Sequence, residues 1–513
     1  MRFSYFIILL AVSLPTFAVE DEQEIFLGIN TADVREDTSS VQFLNLFSSA
    51  IPFSETVPWG SSKQVTYDKN GWPNNLKEGQ AGTKFLNRLP EDTVEDGFFT
   101  VLYDGEGEIF YGNDARLVVH RPNKDIIEIR AGKDKILNAS LFVKKSNVEN
   151  YVRNIRILPE GGVCKGAAHT RVKSPADCND GEYLSFEDNH LNPWAKEQRE
   201  KLAKDIEKEK SNDEVKESDK QEVEKEVKKV LHEKDETRKV EAKVKLDISN
   251  NKITKVEEAN TDKENIKKTN TEKENNDKDQ EVVVKEATET KKEVETVAKN
   301  DKDAFVIKGF TDPNKALLFN PEYLNFIKDF QMVRFMNMSG MTRNPVVEWD
   351  KRNSLKKATW GGKYGSRGAP VEVMVALSND IDAYPWFSMP YKASDDYIKQ
   401  FGEYVNTHLK SELKAYIEYS NEVWNPIFIH HDYAINEGMK QKLDKKKSQA
   451  GYKWYSKRSV QTFKLWEDVF GGTDRLIRVM GSWASNQIMS STVLKYKDAY
   501  KNTDAIAIGP YFA

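Results

Sequence analysis

The chain has 513 residues, a formal net charge of −5, 31% charged residues and 38% hydrophobic residues. Residues 201–300 hold 25 Lys/Arg and 28 Asp/Glu and contain no Phe, Tyr, Trp, Gly, Pro or Cys. The remainder has the composition of an aromatic-rich globular protein with nearly balanced charge. This argues against a nucleic-acid-binding protein, because no basic face is implied.

The first 18 residues have the pattern of an export signal. Arg2 is followed by the apolar run Phe6–Leu14, and small residues then lead to a predicted cleavage site after Ala18. An uncleaved membrane anchor would need about 20 apolar residues, and this run is shorter. No later segment approaches a membrane span. The sequence therefore predicts a signal peptide over 1–18 and a secreted, extracellular protein.

The two cysteines, Cys164 and Cys178, flank a polar loop. In an oxidising compartment such a pair is most simply a disulfide, and two unpaired thiols are the alternative. A zinc site is disfavoured because the seven histidines show no paired ligand spacing. We therefore predict a disulfide, with no metal and no cofactor.

The first 195 residues divide by pattern into three segments beyond the signal. Residues 19–60 begin with a short apolar strand, Ile25–Ile29, and continue with a predicted helix over Val41–Phe47. Short apolar runs separated by Asp-Gly, Gly-Asn and Pro-Asn turns indicate an inserted all-β, sandwich-like domain over 61–160. The cysteines place a disulfide-bearing loop in 161–195.

Residues 196–304 form the charged tract. Without aromatic residues it cannot bury enough apolar surface to offset the cost of ordering its backbone, so disorder is the expected state. The alternative is a single charged helix held by pairs four residues apart. Opposite charges nearly cancel along the tract, which suits a spacer better than a binding surface.

Residues 305–513 alternate between helical and strand patterns. This alternation is typical of βα units around a parallel sheet. With the first strand, six strands are visible, and eight would close a barrel. The predicted fold is α/β, a (β/α)8-type barrel truncated after strand six. The predicted strands here are Met332–Met336, Pro385–Pro390, Lys414–Tyr419, Leu476–Met480 and Asp504–Gly509.

In such a barrel the active site lies at the carboxyl ends of the strands. The richest segment at these ends is Ile417–Asn425, where Asn421 and Glu422 directly follow the fourth strand and Trp424 comes next. Glu418 has the same strand parity as Glu422. We expect Glu418 to be a buried or paired strand carboxylate.

The Asn421-Glu422 pair after a fourth strand resembles the clan of retaining glycoside hydrolases with (β/α)8 barrels, in which an Asn-Glu pair supplies the acid/base. The chain is also similar to secreted, poorly characterised bacterial-type proteins, some labelled cellulose-binding. The segments that carry this resemblance are Phe26–Asn30, Asn70–Pro73, Arg153–Arg156, Arg334–Met336, Trp386–Pro390, Glu418–Asn425 and Ala507–Phe512.

The resemblance implies a polysaccharide or oligosaccharide substrate and a role for each matching residue. Glu422 would be the acid/base, Asn421 the ligand of a sugar 2-hydroxyl, and Arg334 the residue that orients the nucleophile. Aromatic side chains supply flat apolar area for stacking on sugars, although each tryptophan named is equally suited to a core position. The candidates for stacking are Trp386, Trp424, Trp483 and Tyr511.

The chain departs from the resembled clan at the nucleophile, which there is a Glu at the end of strand seven. Six strands are counted by Ala513, so either the chain is a fragment of a longer glycoside hydrolase acting on β-linked glycans, or the barrel is open and the activity is lost. We expect the fragment, because an open barrel would expose strand edges and its apolar interior. The alternatives are a secreted carbohydrate-binding protein without catalysis, and a surface protein in which the charged tract is a functional spacer.

Overall fold

The computed structural model describes residues 26–55, 64–179, 181–195, 316–362 and 368–509. The chain divides into one compact unit formed by Met1–Trp194 with Thr311–Ala513, and a second formed by Ala195–Phe310. All described residues except Ala195 belong to the first unit. The predicted signal peptide, 1–18, and the predicted disordered tract, 196–304, lie outside the described residues.

The described residues form eighteen strands. In chain order they are β1 (Gly28–Asn30), β2 (Thr66–Tyr67), β3 (Pro73–Asn75), β4 (Ala81–Pro90), β5 (Gly97–Asp104), β6 (Gly107–Asn113), β7 (Ala115–Arg121), β8 (Lys124–Ile129), β9 (Ile136–Ser146), β10 (Arg153–Pro159), β11 (Gly162–Cys164), β12 (Arg171–Val172), β13 (Tyr183–Ser185), β14 (Met332–Arg334), β15 (Tyr384–Met389), β16 (Ala415–Tyr419), β17 (Leu476–Trp483) and β18 (Ala505–Gly509).

The α-helices of the described ranges lie mostly after residue 316. They are α1 (Phe186–Asn189), α2 (Pro321–Ile327), α3 (Val371–Asp380), α4 (Asp395–His408), α5 (Ile429–Lys440), α6 (Lys447–Phe470) and α7 (Gln487–Lys495). The predicted alternation of helix and strand in this half of the chain is therefore present.

Helix α4 shows how local sequence sets these elements. The Ser394 side chain accepts a hydrogen bond from the Tyr397 backbone N–H, which satisfies a free donor of the first turn. Three residues spaced four apart, Tyr397, Phe401 and Val405, then form one buried face. Trp466 of α6 packs against this face, so two helices cover the sheet together.

Six strands of the described chain form one parallel sheet in the order β1-β14-β15-β16-β17-β18. The strands follow chain order because a helix connects most neighbours across the same face. Val333, Phe387 and Ile417 point to that face and lie in the core shared with the helices. The carboxyl ends of the strands are thereby aligned along one edge of the sheet.

The predicted (β/α)8-type barrel is wrong. The sheet is an open half-barrel, because β1 and β18 form its two edges and do not pair with each other in the described residues. Closing a barrel requires the tilt and stagger of about eight strands. Several antiparallel sheets accompany the half-barrel within the same compact unit.

The antiparallel strands form a four-stranded sheet, β10-β5-β8-β7, and a three-stranded sheet, β4-β9-β6, with smaller sheets beside them. The two larger sheets share one hydrophobic core. This core also takes in residues distant in sequence, so it is not confined to 61–160. Its members include Phe47, Phe85, Val101, Ile127, Leu141, Ile157 and Ala358.

The predicted helix over Val41–Phe47 is also wrong. A 3-10 helix, Leu46–Ser49, is the only helical turn in this stretch. The Asn45 side chain accepts hydrogen bonds from the backbone N–H groups of Phe47 and Ile157. The bond from Phe47 caps the start of the 3-10 helix, so the helical turn begins only after Asn45, and the bond from Ile157 ties the segment to β10.

The predicted disulfide is confirmed. Cys164, the last residue of β11, is bonded to Cys178, and the two α-carbons are 5.6 Å apart. Cys164 lies in the central strand of the small sheet β12-β11-β13, and Cys178 lies between β12 and β13 in the chain. The crosslink thus stabilises a segment that contributes little to the main hydrophobic cores.

Candidate functional site

The carboxyl end of the parallel sheet brings several predicted residues together. Arg334 of β14 is level with Trp386 of β15, and Ser388 of β15 is level with Glu418 of β16. Because side chains alternate along a strand, these four share one face. Phe387 points to the opposite, helix-covered face. A polar and aromatic cluster therefore lies on the face that the helices leave free.

Glu418 is the centre of this cluster. Its side chain is 3% exposed, and its Oε2 accepts a hydrogen bond from Arg334 Nη2 at 2.8 Å. The same oxygen accepts from Trp386 Nε1 at 3.0 Å and from Ser388 Oγ at 3.3 Å. Glu418 is thus buried and ion-paired, as the sequence predicts. One oxygen of this buried carboxylate is therefore already held by three donors, one of them charged.

Arg334 connects Glu418 to Asn421. Its Nη2 also lies 3.1 Å from Asn421 Oδ1, and its guanidinium carbon lies 4.8 Å from the centre of the Trp386 ring. The predicted role of Arg334 was to orient a nucleophile. In the structure it binds a buried strand carboxylate and the amide that precedes Glu422.

The turn that carries Asn421 is strained. Ser420 and Glu422, on either side of it, have φ values of 62° and 34°. Non-glycine residues rarely adopt such backbone angles, which cost about 1–3 kcal/mol each and concentrate at functional sites. The Ser420 hydroxyl is buried and has no hydrogen-bond partner within the described chain. The backbone strain and the unpaired hydroxyl both lower the stability of the folded state, so the surrounding structure must hold this turn in its conformation.

Glu422 lies outside the Arg334–Glu418 ion pair. It is half-buried, and its Oε2 accepts a hydrogen bond from Asn425 Nδ2 at 3.0 Å. The Asn425 backbone N–H donates to the Glu422 carbonyl at 2.9 Å, which closes the turn. Of the two carboxylates on β16 and its turn, Glu422 is the one that solvent or a ligand can reach.

Gly481 of β17 lets this strand approach the cluster closely. A Cβ at this position would lie 2.9 Å from Tyr455 Oη, 3.1 Å from Glu418 Oε1 and 3.6 Å from the Trp424 ring. The Gly481 backbone N–H donates to Tyr455 Oη at 2.7 Å. Burial raises the pKa of Tyr455, so its side chain remains a neutral phenol. The sequence places Gly481 at the end of a predicted strand, where a site is expected, but gives no sign of the contribution of Tyr455.

The predicted stacking residues differ in their environments. Trp386 is half-buried, stacks on Tyr416 with ring centres 5.9 Å apart, and uses its N–H on Glu418. Trp424 is half-buried beside Gly481, whereas Trp483 at the carboxyl end of β17 is exposed. Tyr511 lies outside the described residues. Trp386 is thus held within the cluster by its neighbours, whereas Trp424 and Trp483 have exposed ring surface that a ligand could contact.

A further carboxylate at this edge was missed. Asp33 follows β1 by three residues, and burial raises its pKa although the positive charges of Arg35 and Arg343 oppose the shift. Thr31, also after β1, donates its hydroxyl to the Arg334 carbonyl at 3.1 Å. The placement of Asp33 just past a predicted strand was the available signal.

Within the described residues, no group of three His, Cys, Asp or Glu side chains is arranged to hold a metal ion. Among the helices described, none is both long and apolar enough to cross a membrane.

No family model, curated protein or solved structure matches the chain. The glycoside hydrolase resemblance therefore rests on the residues quoted above, and the function is inferred from the site.

Proposed function

We propose that the protein is a secreted, glycoside hydrolase-like protein that acts on a β-linked polysaccharide or oligosaccharide. The observation that carries the proposal is the strained turn Ser420–Glu422 at the carboxyl edge of the parallel sheet. This turn presents an amide and an accessible carboxylate beside Trp424. Strain of this kind persists only where surrounding structure enforces it.

Each side chain of the site has a chemical role in this proposal. Glu422 would protonate the leaving glycosidic oxygen. Asn421 Nδ2 would donate a hydrogen bond to a sugar hydroxyl, because its Oδ1 is held by Arg334. Trp424 and Trp483 would stack on sugar rings, whose C–H faces suit flat aromatic surface.

Retaining hydrolysis also needs a carboxylate nucleophile about 5–5.5 Å from the acid. Glu418 does not fit this role. Its Oε2 already accepts three hydrogen bonds, and its side chain is almost fully buried. We therefore assign Glu422 as the acid and give Glu418 no reactive role.

Because Glu418 is buried and bound by three donors, it does not supply a second reactive carboxylate. This favours a second candidate function, that of a carbohydrate-binding protein without catalysis. Such a protein needs the Asn421 donor and the aromatic surfaces but no second reactive carboxylate. The two candidates share the same binding residues, so they differ only in turnover.

The test compares binding and turnover by the purified chain and by the variant Glu422→Gln. Binding of cellotetraose and xylotetraose is measured by calorimetry, and turnover is measured by product release from the same oligosaccharides. For a hydrolase, Glu422→Gln should lower turnover by about 10²- to 10⁴-fold and leave binding nearly unchanged, because a positioned acid acts on the transition state.

A matched control is Glu412→Gln, an exposed carboxylate just before the amino end of β16. It should change neither measurement. Binding without turnover in the wild-type chain would establish the second candidate. If neither oligosaccharide binds the wild-type chain, or if Glu422→Gln keeps full turnover, the proposal is wrong for these sugars or for this acid.

A further inference from the structure

We infer that Glu418 is a positioning residue that acts through Arg334 to fix the orientation of the Asn421 amide, so that Asn421 offers only N–H donors to a ligand. The inference deepens the proposed function and rests on it for the identity of the ligand. It concerns a residue that neither contacts the reacting atoms nor belongs to the predicted site.

The chain of contacts runs from a buried anion to the site. Glu418 Oε2 holds Arg334 Nη2 at 2.8 Å, and the same Nη2 lies 3.1 Å from Asn421 Oδ1. Arginine has donors and no acceptor, so the Asn421 atom that faces it must be the carbonyl oxygen. The two N–H donors of Asn421 then point away from the arginine.

The Asn421 side chain is held at its oxygen, but its N–H groups are left to bind a ligand. It is 4% exposed, and no hydrogen bond from its Nδ2 is found in the described part of the chain. The residues that flank it are the two strained positions, Ser420 and Glu422, which fix its backbone. Both backbone and amide are therefore prepared in advance for an oxygen acceptor, such as a sugar hydroxyl.

Glu418 is the only anionic partner of Arg334 within the described residues. The other contact of the guanidinium is Nη1 with Met336 Sδ, a weak acceptor, and Nε is buried without a partner. The Arg334 side chain is 22% exposed, so without the carboxylate its guanidinium would keep only neutral partners inside the protein and could turn toward water. The Asn421 amide would then lose the contact that determines which of its atoms faces a ligand.

The stacking of Arg334 and Trp386 supports the same reading. Trp386 Nε1 donates to the same Glu418 oxygen, and the guanidinium lies over the indole ring. A planar guanidinium packed on a ring and bound at one edge has little freedom to rotate. Glu418 thus fixes the positions of both the Arg334 guanidinium and the Trp386 ring.

The first test needs no sugar. The chain is labelled with ¹⁵N at asparagine, the Asn421 side-chain amide is assigned with Asn421→Ala, and its hydrogen exchange is followed by NMR. In Glu418→Gln this exchange should become at least tenfold faster, because an amide released by Arg334 can turn, and its N–H groups, now protected by burial at 4% exposure, would reach water more often. Unchanged exchange and chemical shifts in Glu418→Gln would overturn the inference.

The second test is a double-mutant cycle on cellotetraose affinity. Asn421→Ala and Glu418→Gln should each weaken binding by about tenfold, the size of one net hydrogen bond. The double variant should bind no more weakly than Asn421→Ala, because Glu418 acts through that amide. Effects that multiply in the double variant would show an independent, merely structural role and would refute the inference.

The matched control is Glu372→Gln, which breaks another buried ion pair, that with Arg352 at 2.7 Å. It should destabilise the fold and leave both Asn421 amide exchange and cellotetraose affinity unchanged. If the wild-type chain does not bind cellotetraose, the proposed function fails for that sugar, while the amide exchange still decides the role of Glu418.

Discussion

Replacing Gly481 by alanine adds one methyl group at the closest approach of β17 to the candidate site. The new Cβ would lie 2.9 Å from Tyr455 Oη and 3.1 Å from Glu418 Oε1. Neither neighbour can retreat easily. Tyr455 is buried and its Oη accepts the Gly481 backbone N–H, while Glu418 is fixed by three donors on its other oxygen.

The expected cost follows from this crowding. Adding a methylene-sized group to a packed core typically costs about 1–3 kcal/mol. Replacing glycine by alanine also removes unfolded-state freedom, which stabilises by about 0.4–1 kcal/mol where the backbone is compatible. Gly481 has no positive φ, so that gain applies. The net prediction is a loss of about 1–2 kcal/mol, together with a displaced Glu418.

The assay is urea unfolding of Gly481→Ala beside Gly97→Ala, with cellotetraose affinity measured on both. A Cβ on Gly97, in β5, would meet nothing within 4 Å, so this variant should be neutral or slightly stabilised. If Gly481→Ala is as stable as Gly97→Ala and binds as the wild type does, β17 has more room than the contacts indicate and the packing argument is refuted.

Three further predictions concern the rest of the unit. Reducing the bond between Cys164 and Cys178, which are 14 residues apart, should cost about 3 kcal/mol by loop entropy, and an unchanged urea midpoint with reductant would contradict this. Burial lowers the pKa of His190 and of His430 to about 4. As the pH falls below about 6.5, these histidines are protonated in the unfolded state before they are protonated in the folded state. The free energy of unfolding should therefore decrease between pH 6.5 and pH 4, by up to about 3 kcal/mol for each histidine. Urea unfolding at pH 7 and 4.5 checks this, and an equal acid loss in a variant lacking both histidines would disprove it. Ser420→Gly should relieve the strain at φ 62° and stabilise by about 1 kcal/mol while weakening oligosaccharide binding, and a lower melting temperature would contradict it.

The positions of the helices and strands after residue 316 are largely determined by local pattern. The apolar run Leu476–Met480 predicts β17, and the spacing of Tyr397, Phe401 and Val405 predicts α4. Apolar residues recur every two residues in a strand and about every 3.6 residues in a helix, because one side of each element is buried. These repeats can be recognised in the sequence of one chain alone. The pairing of Cys164 with Cys178 is equally local, because no other cysteine exists.

Contacts between distant segments are decided by tertiary packing. No local pattern shows that the parallel sheet is an open half-barrel, or that Asn45 binds the backbone of β10 and caps a 3-10 helix that begins only at Leu46. Arg334 and Glu418 are 84 residues apart in the chain, and only the strand register makes them partners.

The candidate site divides in the same way. Asn421, Glu422 and Trp424 follow one another in the chain, so the sequence alone predicts that they meet at the end of a strand. Which carboxylate is reachable depends on burial and on donors from other strands. Glu418 is covered because Arg334, Trp386 and Ser388 converge on one of its oxygens, whereas the strained turn carries Glu422 out of their reach.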